Sequence, residues 1–168
     1  PCGRYGGVKI LVIDDDAALC RSLQIHLERG GHSVELAHNA SDGIARYGED
    51  NFDLAFVDLK LPDKSGLEVL KAIQQSGANG LAVMITGTQD MKATIEAVRL
   101  GAFDYIRKPL DLDAVLLTVE KVAQERSRVA GKKKLSADAE FQPHEFVGGS
   151  LKTIEVIKQI GLLSQSRI

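Results

Sequence analysis

The chain has 168 residues, of which 44% are hydrophobic and 26% charged, with a formal net charge of −2. That composition is ordinary for a soluble globular protein and gives room for one domain of typical size plus a tail or part of another. A nearly balanced charge supplies no long-range field toward nucleic acid or an anionic bilayer, and no apolar run reaches the roughly 20 residues that span a membrane.

The opening, "PCGRYGG", has one arginine and no apolar h-region, so no signal peptide is expected. Cys2 and Cys20 lack metal-ligand spacing. Two thiols in a chain of this size fit a reducing compartment, with a disulfide left open, and a cytoplasmic location is expected. "VKILVI" (8–13) is aliphatic and largely β-branched, which predicts a strand buried on both faces. Residues 17–29 carry Leu19, Leu23, Ile25 and Leu27 as an imperfect helical stripe, stopped by "GG" at 30–31. "SVELA" (33–37) alternates like a strand, and a short helix follows over 40–50, with Ser41 as its expected cap. "LAFVD" (54–58) is a second buried strand ending in an aspartate. "SGLEVLKAIQQ" (65–75) is helical, "LAVMIT" (81–86) a strand, and "DMKATIEAVRLG" (90–101) a helix closed by Gly101. "FDYIR" (103–107) is a short strand, after which Asp111 caps a longer helix from 112.

Five βα units with short connections predict a parallel sheet covered by helices on both faces. Ligands of such open sheets sit at the carboxyl ends of the strands. The polar residues that stand out lie there: Asp14 and Asp15 after the first strand, Asp58 at the third, Thr86 at the fourth, and Lys108 after the fifth. "IDDD" sets three like charges where a buried strand ends, an arrangement that repels and raises carboxyl pKa values unless a cation offsets it. Oxygen ligands from adjacent strand ends suit Mg²⁺, which takes few protein carboxylates. Asp16 is expected to serve the following helix instead. A carboxylate beside Mg²⁺ can act as a nucleophile toward phosphorus, and Asp58, alone at its strand end, is the best candidate. The transferred group needs its oxygens neutralised; Mg²⁺, the Lys108 ammonium and the Thr86 hydroxyl would each take one. Each residue also has a local reading as a cap, a turn residue or an exposed lysine.

The ordered set "VIDDD", "FVDLKLPDKSG", "MITG" and "FDYIRKP" resembles the receiver domain of two-component response regulators. The resemblance covers residues 8 to about 125. It implies a (βα)5 α/β fold, a doubly wound parallel sheet in strand order 2-1-3-4-5. It also implies Asp58 as phosphoacceptor, Asp14 and Asp15 as the acidic pair for Mg²⁺ with the backbone carbonyl of Lys60 as a further ligand, and Lys108 as phosphate partner. Thr86 and Tyr105 would be the switch residues, and the Lys108–Pro109 bond is expected to be cis. Gly87, where a small residue usually alanine stands, and "DKSG" at 63–66 depart from the common pattern; neither removes a residue of the phosphorylation chemistry. The implied partner is a sensor histidine kinase, and self-catalysed phosphorylation and dephosphorylation are the only expected reactions.

The composition changes near Glu125, so residues 126–145, charged and holding Pro143, are read as a linker. "FVGGSLKTIEVIKQIGLLSQS" (146–166) resumes an amphipathic pattern. It resembles the opening of the ATPase module of nitrogen-regulatory-type, sigma-54-dependent activators, so 146–168 are read as the truncated start of an AAA+ module. No G-x-x-x-x-G-K-[ST] loop occurs before residue 168, and ATP hydrolysis is not expected of this chain. DNA and sigma-54 RNA polymerase would be met only through domains this chain lacks.

Residues 112–129 place Leu112, Val115, Val119, Val122 and Val129 mostly at three- and four-residue steps, with Leu116 and Ala123 as a second apolar face. One face would cover the sheet, and the other would meet a twin helix in a homodimer using the 90–129 surface. The alternatives are a single broad core face for this helix and, for the whole domain, a Mg²⁺-dependent aspartyl-phosphate phosphohydrolase. That enzyme class generally carries a second aspartate two residues after the nucleophile, where this sequence has Lys60.

Overall fold

The computed structural model describes residues 6–87 and 91–135. Its elements run β1 (Lys9–Ile13), α1 (Ala17–Arg29), β2 (Ser33–Ala37), α2 (Ala40–Glu49), β3 (Leu54–Asp58), α3 (Gly66–Gln75), β4 (Leu81–Thr86), α4 (Met91–Arg99), β5 (Asp104–Arg107) and α5 (Leu112–Leu135). The five strands form one parallel sheet in the order β2-β1-β3-β4-β5, the doubly wound α/β arrangement expected. The reversal of strand order lies between β1 and β3, and the carboxyl ends of those strands bear Asp14 and Asp58.

Strand alternation divides the core in two. Leu11, Ile13, Ala55 and Val57 pack with Val69 and Leu70 of α3 on one side of the sheet. Ile10, Val12, Leu54 and Phe56 pack with Leu23 of α1 and Val119 of α5 on the other. Each β3 residue is buried, so its unbroken apolar run reflects cover on both faces.

Local signals fix the helix ends. Asp16 caps α1, accepting from the Leu19 N–H, and Gly31, at φ +87°, takes the left-handed conformation beyond the helix, which costs a residue without Cβ little. α2 corrects one expectation: its cap is Asn39, which accepts from the Asp42 N–H, and Ser41 lies inside the first turn. The Asp111 side chain accepts from the Asp113 N–H at the start of α5, as expected of a cap. α5 corrects a second expectation. Leu116 and Ala123 do not form a separate outward face; both pack into the core layer with Val115, Val119 and Val122. That layer, built from strand residues together with Leu19, Leu23 and Leu27 of α1, takes both stripes, so this stretch presents a single broad core face. Among the described residues, the exposed large apolar side chains of the helix are instead Leu117 and Val129.

A compact unit closes at Ala130, while α5 continues as helix to Leu135, into the segment read as linker. The remainder of that segment, the 146–168 tail, Cys2 and the Asp90 start of the fourth helix lie outside the described residues. No helix among the described residues is long and apolar enough to cross a membrane.

One packing contact carries a pH dependence. His32 Nδ1 accepts the Val8 N–H at 3.2 Å, which requires that nitrogen to be unprotonated. Burial holds the His32 pKa below its ordinary 6.5, against an upward pull from Glu120. The folded state therefore favours neutral His32, and the unfolded chain binds the proton first as pH falls. The contribution is intact above the ordinary value and is lost as pH falls toward the lowered folded value. In urea unfolding at pH 7.5 and 5.0, the stability advantage of the parent over His32→Leu is expected to shrink at the lower pH. An advantage equal at both values would exclude this coupling.

Candidate functional site

Strand ends deliver the site residues to one place. Asp14 follows β1 directly and is fully buried; its N–H donates to the Ala37 carbonyl of β2, which fixes the backbone as it leaves the sheet. Its Oδ1 accepts the Asp16 N–H at 2.9 Å. Asp58 closes β3 and is 5% exposed, with Oδ1 accepting the Lys60 N–H at 3.1 Å. Lys108 arrives from the far side of the sheet: its N–H donates to the Thr86 carbonyl at 2.8 Å, and the following Lys108–Pro109 peptide is cis, as expected. Its Nζ then lies 2.7 Å from Asp58 Oδ2 and 2.9 Å from Asp14 Oδ2.

The two contacts differ. Nζ donates a hydrogen bond to Asp58, but it meets Asp14 Oδ2 off the hydrogen-bonding direction. That buried oxygen thus has a Coulombic neighbour and no hydrogen-bond donor. Burial pushes the Asp14 carboxyl above its ordinary pKa, and the charge of Asp58 adds to this; the Asp16 N–H and Lys108 pull the other way without prevailing. For Lys108, burial lowers the pKa, but its close contacts with Asp58 and then Asp14, together with the charges of both carboxylates, outweigh it, and the net shift is upward. One ammonium is thus shared between two buried carboxylates.

Asp15 completes the group. Asp14, Asp15 and Asp58 each offer a carboxylate oxygen, and those atoms lie within 4.8 Å of one another. An all-oxygen set with a buried carboxylate oxygen that receives no hydrogen bond fits a hard divalent cation. It does not fit a soft metal, which would want thiolate or imidazole.

Of the two residues expected to switch, Thr86 falls on this edge of the sheet and Tyr105 lies further back. Asp58 is in register with Ile85, so the buried Thr86 stands one residue further along the neighbouring strand. Tyr105 pairs with Met84 and is partly buried against the α3 and α4 layer. Sequence reasoning thus brings together Asp14, Asp15, Asp58 and Lys108, with Thr86 adjacent and Tyr105 further down the strand.

It missed what braces them. The Asp14 carbonyl accepts from Cys20 Sγ and lies 3.2 Å from His38 Nδ1. Burial, then the charges of Asp14 and Asp16, push the Cys20 thiol up to about 11, so this cysteine is packing and not a nucleophile. The loop after Asp58 is fastened by the Gly66 N–H to the Leu59 carbonyl, by a bridge between Lys60 and Ser65, and by a reciprocal cap between Ser65 and Glu68. The Ser-x-x-Glu spacing signals that cap in the sequence; the His38 contact joins residues 24 apart, and the shorter-range braces follow no spacing rule that would announce them.

The model of the response regulator receiver domain matches residues 10–120. The chain belongs to that family. Its receiver fold is shared with a CheY-like receiver domain from Methanospirillum hungatei JF-1, at 31% identity and a TM-score of 0.70 over 73% of this chain and 98% of that one. NtrX from Brucella abortus, crystallised with ADP, matches 92% of this chain at 27% identity and a TM-score of 0.73, over 34% of its own length. Among curated relatives, the transcriptional regulatory protein ZraR of Salmonella typhimurium is 29% identical over 96% of this chain. The acid tolerance regulatory protein ActR of Rhizobium meliloti is 36% identical over 70% of it. The chain spans 36% of the length of ZraR and 60% of that of ActR.

Proposed function

We propose that this receiver domain takes a phosphoryl group on Asp58 from a sensor histidine kinase, in a Mg²⁺-dependent reaction, and passes the event to a transcriptional regulator of which it is the N-terminal part. The observation that carries the proposal is the Lys108 ammonium held between Asp58 and Asp14 at hydrogen-bonding distances, beside a third carboxylate. Asp14, Asp15, Asp58 and the carbonyl of Lys60 would hold the cation. When bound, Mg²⁺ supplies charge neutralisation for the phosphoryl oxygens.

The chain's own groups do the rest. An Asp58 carboxylate oxygen attacks phosphorus, the bond from phosphorus to the donor's leaving atom breaks, and the donor departs with the bonding pair. The Lys60 N–H orients the carboxylate from one side. Lys108, whose Nζ lies 2.7 Å from Asp58 Oδ2, stabilises the developing charge as Nζ passes from that carboxylate to a phosphoryl oxygen. The Thr86 hydroxyl takes a phosphoryl oxygen afterwards, and Tyr105 turns inward into the space released, a local charge event with a readout on the 90–107 surface.

The same surface supports the partner reading. Met91, Leu117 and Val129 are exposed large apolar residues at 63%, 58% and 53%, and all fall within the 90–129 region proposed to form the homodimer. Residues 8–125 are the receiver, 126–145 the linker and 146–168 the start of an AAA+ module that meets sigma-54 RNA polymerase in the full protein. The extended matches to ZraR and NtrX, which run past the receiver, support this division.

Incubation with acetyl phosphate and Mg²⁺, read by intact mass, tests the central step. One phosphoryl adduct is expected with Mg²⁺ and none when EDTA replaces it. No adduct with Mg²⁺, or an adduct equally formed in EDTA, would overturn the proposal.

A further inference from the structure

The loop from Leu59 to Ser65 carries Lys60, the expected carbonyl ligand, and follows directly on Asp58. Its outer end is tied to a different part of the molecule. The Asp63 carboxylate accepts the Ala40 N–H through Oδ1 at 2.8 Å and the Ser41 N–H and hydroxyl through Oδ2 at 2.9 and 2.7 Å. The partners lie 22 and 23 residues away in sequence. These are the first two amides of α2, groups with no acceptor inside their own helix. Asn39 satisfies the next one, on Asp42, so the first three amides of α2 are provided for by two different side chains.

Asp63 is at the surface, yet both of its oxygens are engaged. The Ser41 hydroxyl first, then the Ala40 N–H, hold its carboxyl below the ordinary carboxylate range, so it is charged at neutral pH and faces the positive end of α2. The segment it grips belongs to the site as well. His38, two residues before Ala40, touches the Asp14 carbonyl through Nδ1, and Ala37 accepts the Asp14 N–H. Asp63 therefore closes a ring: β1 end to the β2–α2 loop, that loop to Asp63, and Asp63 back along the β3–α3 loop to Lys60 and Asp58.

We propose that Asp63 is a positioning residue for the cation site, holding the β3–α3 loop, and with it the Lys60 carbonyl, at a fixed distance from Asp14 by clamping that loop to the N-terminus of α2. The inference rests on the Mg²⁺ reading above and adds a residue to it. A clamp that fixes a ligand's support changes metal affinity more than it changes the ligand set.

The test compares two variants of the full chain by calorimetric Mg²⁺ titration, with urea unfolding in EDTA alongside. Asp63→Ala removes the clamp. Asn39→Ala removes the other cap of the same helix, at a comparable cost to α2, and leaves the loop attached. Asp63→Ala is expected to raise the Mg²⁺ dissociation constant about tenfold, and Asn39→Ala to leave it within about twofold of the parent although both variants unfold earlier. Restoration of parental acetyl phosphate labelling in Asp63→Ala at saturating Mg²⁺ is also expected, since the reacting groups are untouched. Unchanged affinity in Asp63→Ala, or an equal loss in both variants, overturns the clamp. A parent that binds no Mg²⁺ overturns the cation reading itself, a distinguishable result.

Discussion

Replacing Asp58 with asparagine is expected to abolish the phosphoryl adduct formed from acetyl phosphate and Mg²⁺, as read by intact mass. The amide lacks the anionic oxygen that attacks phosphorus. The substitution also removes one of the carboxylates proposed to hold the cation. Its effect on folding is expected to be small, which separates lost chemistry from lost structure. Asparagine keeps an acceptor for the Lys60 N–H; the lost hydrogen bond from Lys108 and the relief of repulsion on Asp14 oppose each other, each on the order of 1 kcal/mol. Urea unfolding in EDTA should place the variant within about 1 kcal/mol of the parent. An adduct of parental yield on Asp58→Asn would show that another residue accepts the group.

Gly66→Ala is expected to give the largest loss of stability among single methyl additions near the site, about 3 kcal/mol, the upper part of the range for overpacking. A Cβ there would sit 2.1 Å from the Asp58 carbonyl oxygen and 2.9 Å from the Leu59 Cα. Both are backbone atoms, so no rotamer change relieves the contact; the β3–α3 loop or the first turn of α3 must move. The loss is a large share of the roughly 5–15 kcal/mol that stabilises a typical domain. Because the displaced strand end carries Asp58, phosphoryl labelling should fall together with stability. A variant with a parental urea midpoint would mean that the loop yields freely, contrary to its fastening by Ser65 and Lys60.

Much of this architecture is legible in the sequence because its three central strands, β1, β3 and β4, are buried on both faces. Continuous aliphatic runs at Leu54–Asp58 and Leu81–Thr86 mark those strands to the residue, and a polar residue ending such a run marks the carboxyl edge. The grouping of Asp14, Asp15, Asp58 and Lys108 follows from topology, since parallel strands bring like ends together. Cap identity at α2 did not follow. Asn39 and Ser41 are both good cap types two residues apart, and the choice is made by Asp63, which takes the Ser41 N–H and hydroxyl and leaves Asn39 to cap. Nothing near Ser41 in sequence announces that partner. The second stripe on α5 misled for a related reason: periodicity shows which residues are apolar, while the width of the surface they meet decides how many are covered.

The thiol of Cys20 has a further use. It is enclosed between α1 and the sheet, bonded to the carbonyl of an acidic-site residue, and too weakly acidic to react where it sits. An alkylating reagent can modify it only after α1 has lifted away, so the rate of modification at this sulfur times the breathing of the first helix. A chemical clock is thus built in next to Asp14, able to register whether occupying the acidic nest tightens the part of the molecule that supports it.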